Sequence, residues 1–295
     1  MNMKKSRVFL IGAVFLFLVA ACNPDIDEHD SGAGNISNPV YGTYTQPDNI
    51  ALGMPVYMKG AVYEGHNHIV LNETQVSGYN DITHNPNWVC WHLGPETKTK
   101  AFRTETKLPK EMQTVHSDYA VEGINDKYNR GHMCPNGDKG KGTYTMVNIV
   151  PQDIHVNANE YRFYEEAMRA YNSGKEYFSA AGPSIESDRT FKGKTTGLNL
   201  DVPSFVWRAT IIIDEAPGDD LARMNAGKGN PKAYAIWMPN DCDKMDLGNS
   251  WESYLVSIDF IEEKTGLDLF PDLDDRIEAA IEAQNSGSEA EKKYR

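Results

Sequence analysis

Apolar positions change their spacing along this chain, and each change predicts an element. Residues 1–21 join a basic head, Lys4, Lys5 and Arg7, to an apolar run from Val8 to Val19. The run is too short and too early for a membrane span and reads as a processing signal. From Asn23 to about Pro55 apolar residues thin out among Asp, Gly, Ser, Asn and Pro. That composition predicts a flexible tether, whose reach grows as roughly 5–6 Å × √n. Asn87 to Leu93 (NWVCWHL) is apolar toward both faces and predicts a central strand. Thr145 to Val150 predicts a second strand, closed by Pro151. Over Asn157–Ala170 the residues Tyr161, Tyr164, Met168 and Tyr171 recur at i, i+3, i+7 and i+10, one apolar face of a helix that Ser173-Gly174 ends. Phe205–Asp214 and Tyr234–Met238 are β-branched and aromatic and predict further strands. Tyr254–Ile258 reads as a short strand and Asp259–Thr265 as a helix stopped by Gly266, in a stretch open to either assignment. Beyond Pro271 a charged amphipathic stretch runs to Ala283 and fades into a polar tail. Strands mixed with helices, without regular βαβ alternation or internal repeat, predict an α+β fold. The organisation is a signal over 1–21, a tether over 22–55, one domain over 56–272, and a C-terminal helix with polar tail over 273–295.

Composition alters this picture at the two ends. The signal holds three bases and no acids, so its removal moves the formal charge from −13 to −16. So acidic a chain disfavours polyanions, because phosphate affinity comes from Lys and Arg displacing counterions. Much of the acid, however, lies in Asp25-Ile26-Asp27-Glu28 and between Asp272 and Glu291, which leaves a local basic cleft compatible with the total. The signal ends in Leu18-Val19-Ala20-Ala21-Cys22, which resembles the lipobox of bacterial lipoproteins. The resemblance implies cleavage before Cys22, acylation of Cys22, and a chain anchored to a membrane without crossing it. It would stand on the periplasmic or cell-surface face of the outer membrane, and the acids after Cys22 read as a surface-export signal. An ordinary secretory signal is the other reading, and both take the chain out of the cytoplasm. Of the four cysteines, Cys90, Cys134 and Cys242 then remain, an odd number whose pairing the spacing leaves open. None has zinc spacing, and they read as structural.

The chemistry concentrates in Tyr128-Asn129-Arg130-Gly131-His132-Met133, then Asn148-Ile149-Val150-Pro151-Gln152, Asn157 and Glu165. Phosphodiester hydrolysis needs an activated water, neutralised phosphoryl charge and a stabilised leaving oxygen. His132 can act as the base, since imidazole titrates near neutrality. Asn157 offers an amide oxygen to Mg²⁺, and Arg130 and Arg103 offer planar cationic forks to phosphate. Each has a plainer reading: a lone histidine is more often structural, Asn157 is a good N-cap, and Glu165 fits a solvated helix face. On a regular helix Glu165 lies about 12 Å along and roughly 80° around from Asn157, so its role would run through cation-bound water.

These motifs, with Asn87-Trp88-Val89-Cys90-Trp91, Ser117-Asp118-Tyr119, Val202-Pro203, Trp207-Arg208, Pro239-Asn240 and Thr265-Gly266-Leu267-Asp268, resemble in order the landmarks of the DNA/RNA non-specific endonuclease family. The family implies a mixed or antiparallel central sheet with flanking helices and a ββα-metal finger as active site. It implies His132 as general base, Asn157 as ligand of Mg²⁺ (or Mn²⁺ or another divalent cation), and Arg130 as its assistant. Asn148 matches a further active-site asparagine, Glu165 the family glutamate and Arg103 an upstream arginine. The implied substrates are DNA and RNA, cut with little sequence preference to 5′-phosphate and 3′-hydroxyl ends. Two positions depart from the pattern: Asn129 stands where the motif has Asp, and Tyr161 where it has Trp. Asn129 and the acidic charge motivate the rival reading, a surface binding lipoprotein that keeps the fold with weak or no catalysis. No Gly-x-Ser-x-Gly supports a serine hydrolase.

Overall fold

The computed structural model describes residues 38–43, 46–94, 101–171, 173–245 and 250–295. The signal segment, Cys22 and the acids behind it lie outside them. In chain order, Val40–Tyr41 (β1) and Val56–Tyr57 (β2) precede a meander of His68–Leu71 (β3), Val76–Tyr79 (β4) and Pro86–His92 (β5). Tyr128–His132 (β6), the turn Asn136–Lys139 (α1) and Ile149–Asp153 (β7) lead into helices Ile154–Ala158 (α2) and Glu160–Ala170 (α3). Then come Lys175–Ser184 (β8), Thr190–Lys192 (β9), Asn199–Asp201 (β10), Phe205–Asp214 (β11), Asp220–Asn225 (α4) and Lys232–Pro239 (β12). Leu255–Val256 (β13), Ile258–Thr265 (α5), Leu267–Asp268 (β14), Asp275–Glu282 (α6) and Glu289–Tyr294 (α7) complete the chain.

One mixed sheet in the order β1-β3-β4-β5-β8-β11-β12-β13 organises the α+β fold. Its pairs are antiparallel except β1 with β3. β5 lies inside it, as its two-faced apolar pattern predicts. Trp88 and Cys90 join one core, while Val89 and Trp91 join the other. β11 alternates likewise, with Trp207, Ala209, Ile211 and Ile213 on the first face and Val206 and Ile212 on the second. Helices α5 and α6 cover the first face through Ile258, Phe260, Ile261 and Ile281. β7, α2 and α3 cover the second through Val150, Val156, Tyr161, Tyr164 and Met168. Each such side chain contributes about 1.5–3 kcal/mol by leaving water. Tyr161 is 1 % exposed, so the aromatic that replaces Trp fills a packed position.

The structure departs from the expected elements in four places. The strand expected over 145–150 begins instead at Ile149, after a 3₁₀ turn over Met146–Asn148, and continues through Pro151 to Asp153. β7 pairs only with β6, so an edge is open where proline's missing N–H does no harm. The expected helix over 157–170 breaks at Asn159 (φ −121°, ψ −100°), and Asp153 rather than Asn157 caps the first piece. Tyr171, expected on its buried face, is 48 % exposed and stacks on Tyr234. Residues expected in the tether are packed: Leu52 is in the core, and Asn49 donates to the Glu73 carbonyl and accepts from the His92 N–H. Two such anchors are too sparse to make a periodicity. The polar tail also docks, because Ser288 caps α7 and donates to the Leu255 carbonyl while buried Glu291 accepts from Ser257. Ala290 and Tyr294 also pack on the first core, but two apolar residues among hydrogen-bonding ones leave no periodic pattern. Among the described residues no helix is long and apolar enough to cross a membrane.

Candidate active site

β6 and β7 form a two-stranded ribbon with His132 opposite Ile149, Arg130 opposite Pro151 and Tyr128 opposite Asp153. Gly131 permits it. A Cβ there would stand 2.2 Å from Gln152 Oε1 and 2.4 Å from Gln152 Cβ, so a side chain would push the strands apart. The ribbon runs directly into α2, whose first N–H groups, those of His155 and Val156, are taken by the Asp153 carboxylate at 2.9 and 3.3 Å. α2 packs back on both strands, giving the ββα unit. Asn240 fastens the unit to the end of β12, accepting from the Asp153 N–H (2.7 Å) and donating to the Pro151 (2.8 Å) and Pro203 (3.0 Å) carbonyls. Pro203 and Asn240, met in the sequence only as landmarks, thus set the position of the ribbon.

His132 ends β6 under two aromatic rings, Tyr144 edge-on at 4.6 Å and Phe102 at 5.7 Å. The Arg130 backbone carbonyl lies beside its ring and favours a proton there. Nε2 is buried without a partner among the described residues, and a proton on Nδ1, toward that carbonyl, leaves Nε2 its lone pair. Burial outweighs the carbonyl and pushes the imidazole down to about 4, so it is neutral at physiological pH. A neutral ring with fixed tautomer and an uncommitted nitrogen has the form of a general base.

Arg130 lies on the same face of the ribbon, two residues earlier. Its Nε donates to the His116 carbonyl at 2.9 Å, and its guanidinium lies 5.3 Å from the Tyr119 ring centre and 5.7 Å from that of Phe102. Arg103 is brought to the same neighbourhood by its backbone bridge to Thr145, with NH2 donating to the Gly142 carbonyl at 3.2 Å. Asn148 is placed differently from expectation. It is fully buried; its Oδ1 accepts from the Cys134 N–H (2.8 Å) and its Nδ2 donates to the Cys134 and Thr143 carbonyls (both 2.9 Å). Its side chain thereby makes three hydrogen bonds that hold the backbone just after His132.

Asn157 sits in α2, half-buried, and its side chain makes no hydrogen bond among the described residues, so its amide oxygen is uncommitted. Asn129, by strand alternation, projects to the face of the ribbon opposite His132. The charge lost there is not beside the imidazole.

Glu165 belongs to another cluster. With α2 and α3 separate helices, the distance along one regular helix no longer relates it to Asn157. It lies 4.0 Å from Arg169, whose NH1 reaches Asp138 Oδ1 at 2.9 Å. Asp138 Oδ2 accepts from Arg208 (2.9 Å), Trp91 (3.0 Å) and Tyr177 (3.2 Å). The guanidinium of Arg208 lies 4.6 Å from the ring of Trp91. Burial, opposed by Arg208 and augmented by Asp138, pushes Glu165 up to about 7. The sequence did carry a signal for this cluster: Arg208 interrupts FVWRATIII, and a cation inside an apolar strand requires a buried partner. Asp138, in a polar turn, gave none.

Cys90, Cys134 and Cys242 are free thiols, Cys90 and Cys134 buried, in keeping with structural roles. Beside α2, Asp153, Asp241 and Cys242 draw together, but Asp153 is committed to capping. A family model described as DNA/RNA non-specific endonuclease matches residues 53–276. The chain is similar to a nuclease of Nostoc sp., 29% identical over 249 residues that cover 80% of this chain and 85% of that protein. It is similar to a nuclease of Serratia marcescens, 23% identical over 251 residues, covering 80% and 85%. Mitochondrial endonuclease G of Caenorhabditis elegans is 23% identical over 239 residues, covering 72% and 71%. In fold it resembles a chain in the crystal structure of the EndoG/EndoGI complex, with a TM-score of 0.59 at 16% identity, covering 77% of this chain and 92% of that one.

Proposed function

We propose, for a chain that belongs to the DNA/RNA non-specific endonuclease family, that it hydrolyses phosphodiester bonds of both DNA and RNA with His132 as general base. The observation that carries the reading is the imidazole itself: neutral, beside the Arg130 carbonyl, with a buried Nε2 that nothing among the described residues satisfies. A buried polar atom without a partner costs about 1–3 kcal/mol and persists where a ligand or substrate completes it.

His132 Nε2 takes the proton of the attacking water as the water's oxygen bonds to phosphorus. Phe102 and Tyr144 keep bulk water from the ring. Arg130, tethered through Nε and stacked on Tyr119, presents its remaining N–H groups to the phosphate, and Arg103 adds a second cation. The amide oxygen of Asn157, without a hydrogen bond among the described residues, fits a hard cation such as Mg²⁺ or Mn²⁺. A cation held there would neutralise phosphoryl charge and stabilise the leaving oxygen. Glu165 is assigned to positioning. The P–O3′ bond breaks, and the departing 3′ oxygen takes a proton from solvent, which leaves 5′-phosphate and 3′-hydroxyl ends. Export and acylation at Cys22 rest on the N-terminal residues, and palmitate labelling that survives Cys22→Ser would refute the anchor.

The test is incubation of the purified chain with plasmid DNA and with RNA, with Mg²⁺ or with chelator, beside His132→Ala. Cation-dependent cleavage lost in the variant is expected. Absence of cleavage, or cleavage indifferent to the variant, would favour a binding lipoprotein.

A further inference from the structure

Two buried glutamates of the C-terminal segment, Glu291 and Glu282, differ in what meets their carboxylates. Glu291, 1 % exposed, accepts from the Ser257 N–H (2.8 Å), the Ser257 hydroxyl (2.6 Å) and the Gly287 N–H (2.8 Å). Against the upward push of burial, these donors hold its carboxyl below the usual range. Glu282 ends α6, is 5 % exposed, and has an Oε1 that is buried without any hydrogen-bond partner. In place of donors it meets acids. Asp259 and Glu262, both on α5, bring carboxylate oxygens that lie with one of Glu282 within 4.8 Å of one another. Glu278 and Asp268 add charge of the same sign, and Asp268 Oδ1 is a second buried oxygen without a partner. Burial, then repulsion from Glu262, pushes Glu282 up to about 9.

We propose that Asp259, Glu262 and Glu282 form a cation site separate from the ribbon, taking a hard divalent ion such as Ca²⁺ through oxygen alone. Ca²⁺ accepts six to eight oxygens at about 2.3–2.6 Å, so two oxygens on one ion lie at most about 5 Å apart, which the cluster satisfies. Asp259 is exposed, which opens one side to water to complete the shell, while Glu282 closes the other. Glu262 keeps one oxygen on the Leu269 N–H (2.8 Å) and has its second to give. The ion would clamp α6 to α5. Glu278 and Glu282 follow residue 276, where the match to the family ends, so the site joins a segment beyond that match to the matched domain. It uses neither His132 nor Asn157 and does not depend on the nuclease reading.

Thermal melting of the metal-stripped chain at pH 7.5, without and with Ca²⁺ or Mg²⁺, tests it. At about a hundred-fold excess of Ca²⁺ over its Kd, Tm rises by roughly 5–10 °C. Asn157→Ala keeps that rise, whereas Asp259→Asn, a change at an exposed position, loses most of it. Glu282→Gln melts higher than the natural chain without cation, because folding no longer has to protonate a buried carboxylate at that position, and no longer responds; its cleavage of plasmid in Mg²⁺ is unchanged. No rise in the natural chain would mean that a shared proton holds the carboxylates, and would overturn the site. A rise that persists in Asp259→Asn and disappears in Asn157→Ala would place the ion at the ribbon and overturn it equally.

Discussion

His132 and Asp138 are six residues apart, yet the protein treats them in opposite ways. Asp138 is wholly buried and accepts from Arg169, Arg208, Trp91 and Tyr177. His132 meets two rings and one carbonyl, and its Nε2 has no hydrogen-bond partner among the described residues. A group with every partner in place needs no ligand to explain it, while a reactive nitrogen left open at a cost in stability calls for one. The same contrast divides Asn148 from Asn157: the former makes three hydrogen bonds, the latter none among the described residues.

Substitution of each residue should break the contrast in a different readout. Removing the His132 base should reduce cleavage by about 10²–10⁴-fold, with melting temperature held or raised. Cleavage within a few-fold of the natural chain would place the base elsewhere. Asp138→Ala should act the other way, leaving Arg208 as an unpaired buried cation at a cost of about 3–5 kcal/mol. Melting should fall by roughly 6–20 °C, and activity should fall only as the folded population does. An Asp138→Ala chain that melts normally but cannot cleave would make Asp138 catalytic.

Most of the sheet was legible in the sequence because β5 and β11 alternate between two apolar faces, and periodicity reports burial. The boundaries that shifted did so for local reasons that periodicity does not carry. Pro151 stays in its strand because β7 has an open edge, and the helix breaks at Asn159 after Asp153 has already capped it. The ribbon's residues were legible as a motif, but the division of labour among them was not. Asn148 and Asn157 are the same residue type, and only their hydrogen bonds distinguish the committed side chain from the uncommitted one. The Asp138 cluster was half legible, through the arginine stranded in β11.

A smaller effect sharpens the contrast through pH. The folded-state pKa of His132 lies at about 4, below the unfolded value of about 6.5. The unfolded chain therefore binds the proton first as pH falls. Above pH 6.5 the group contributes no difference. Between 6.5 and 4 stability declines, reaching a loss of up to about 3 kcal/mol below the folded value. Melting curves at pH 7.5 and 4.5 should show a smaller acid loss in His132→Phe than in the natural chain; equal losses would mean that the imidazole is not desolvated. The smallest effect expected is that of Asn129→Asp, because Asn129 projects away from the imidazole. Its rate should stay within several-fold of the natural chain, and an inactive natural chain restored by this change would refute the placement.

The central claim is that an open imidazole nitrogen accepts the proton. It is tested most directly by supplying free imidazole to His132→Gly and following cleavage of DNA from pH 6 to 8. The prediction is a folded, nearly inactive variant whose rate returns with imidazole and rises with its neutral form. A folded His132→Gly that cleaves as the natural chain does, or one that binds DNA and stays inert at every imidazole concentration, would contradict it.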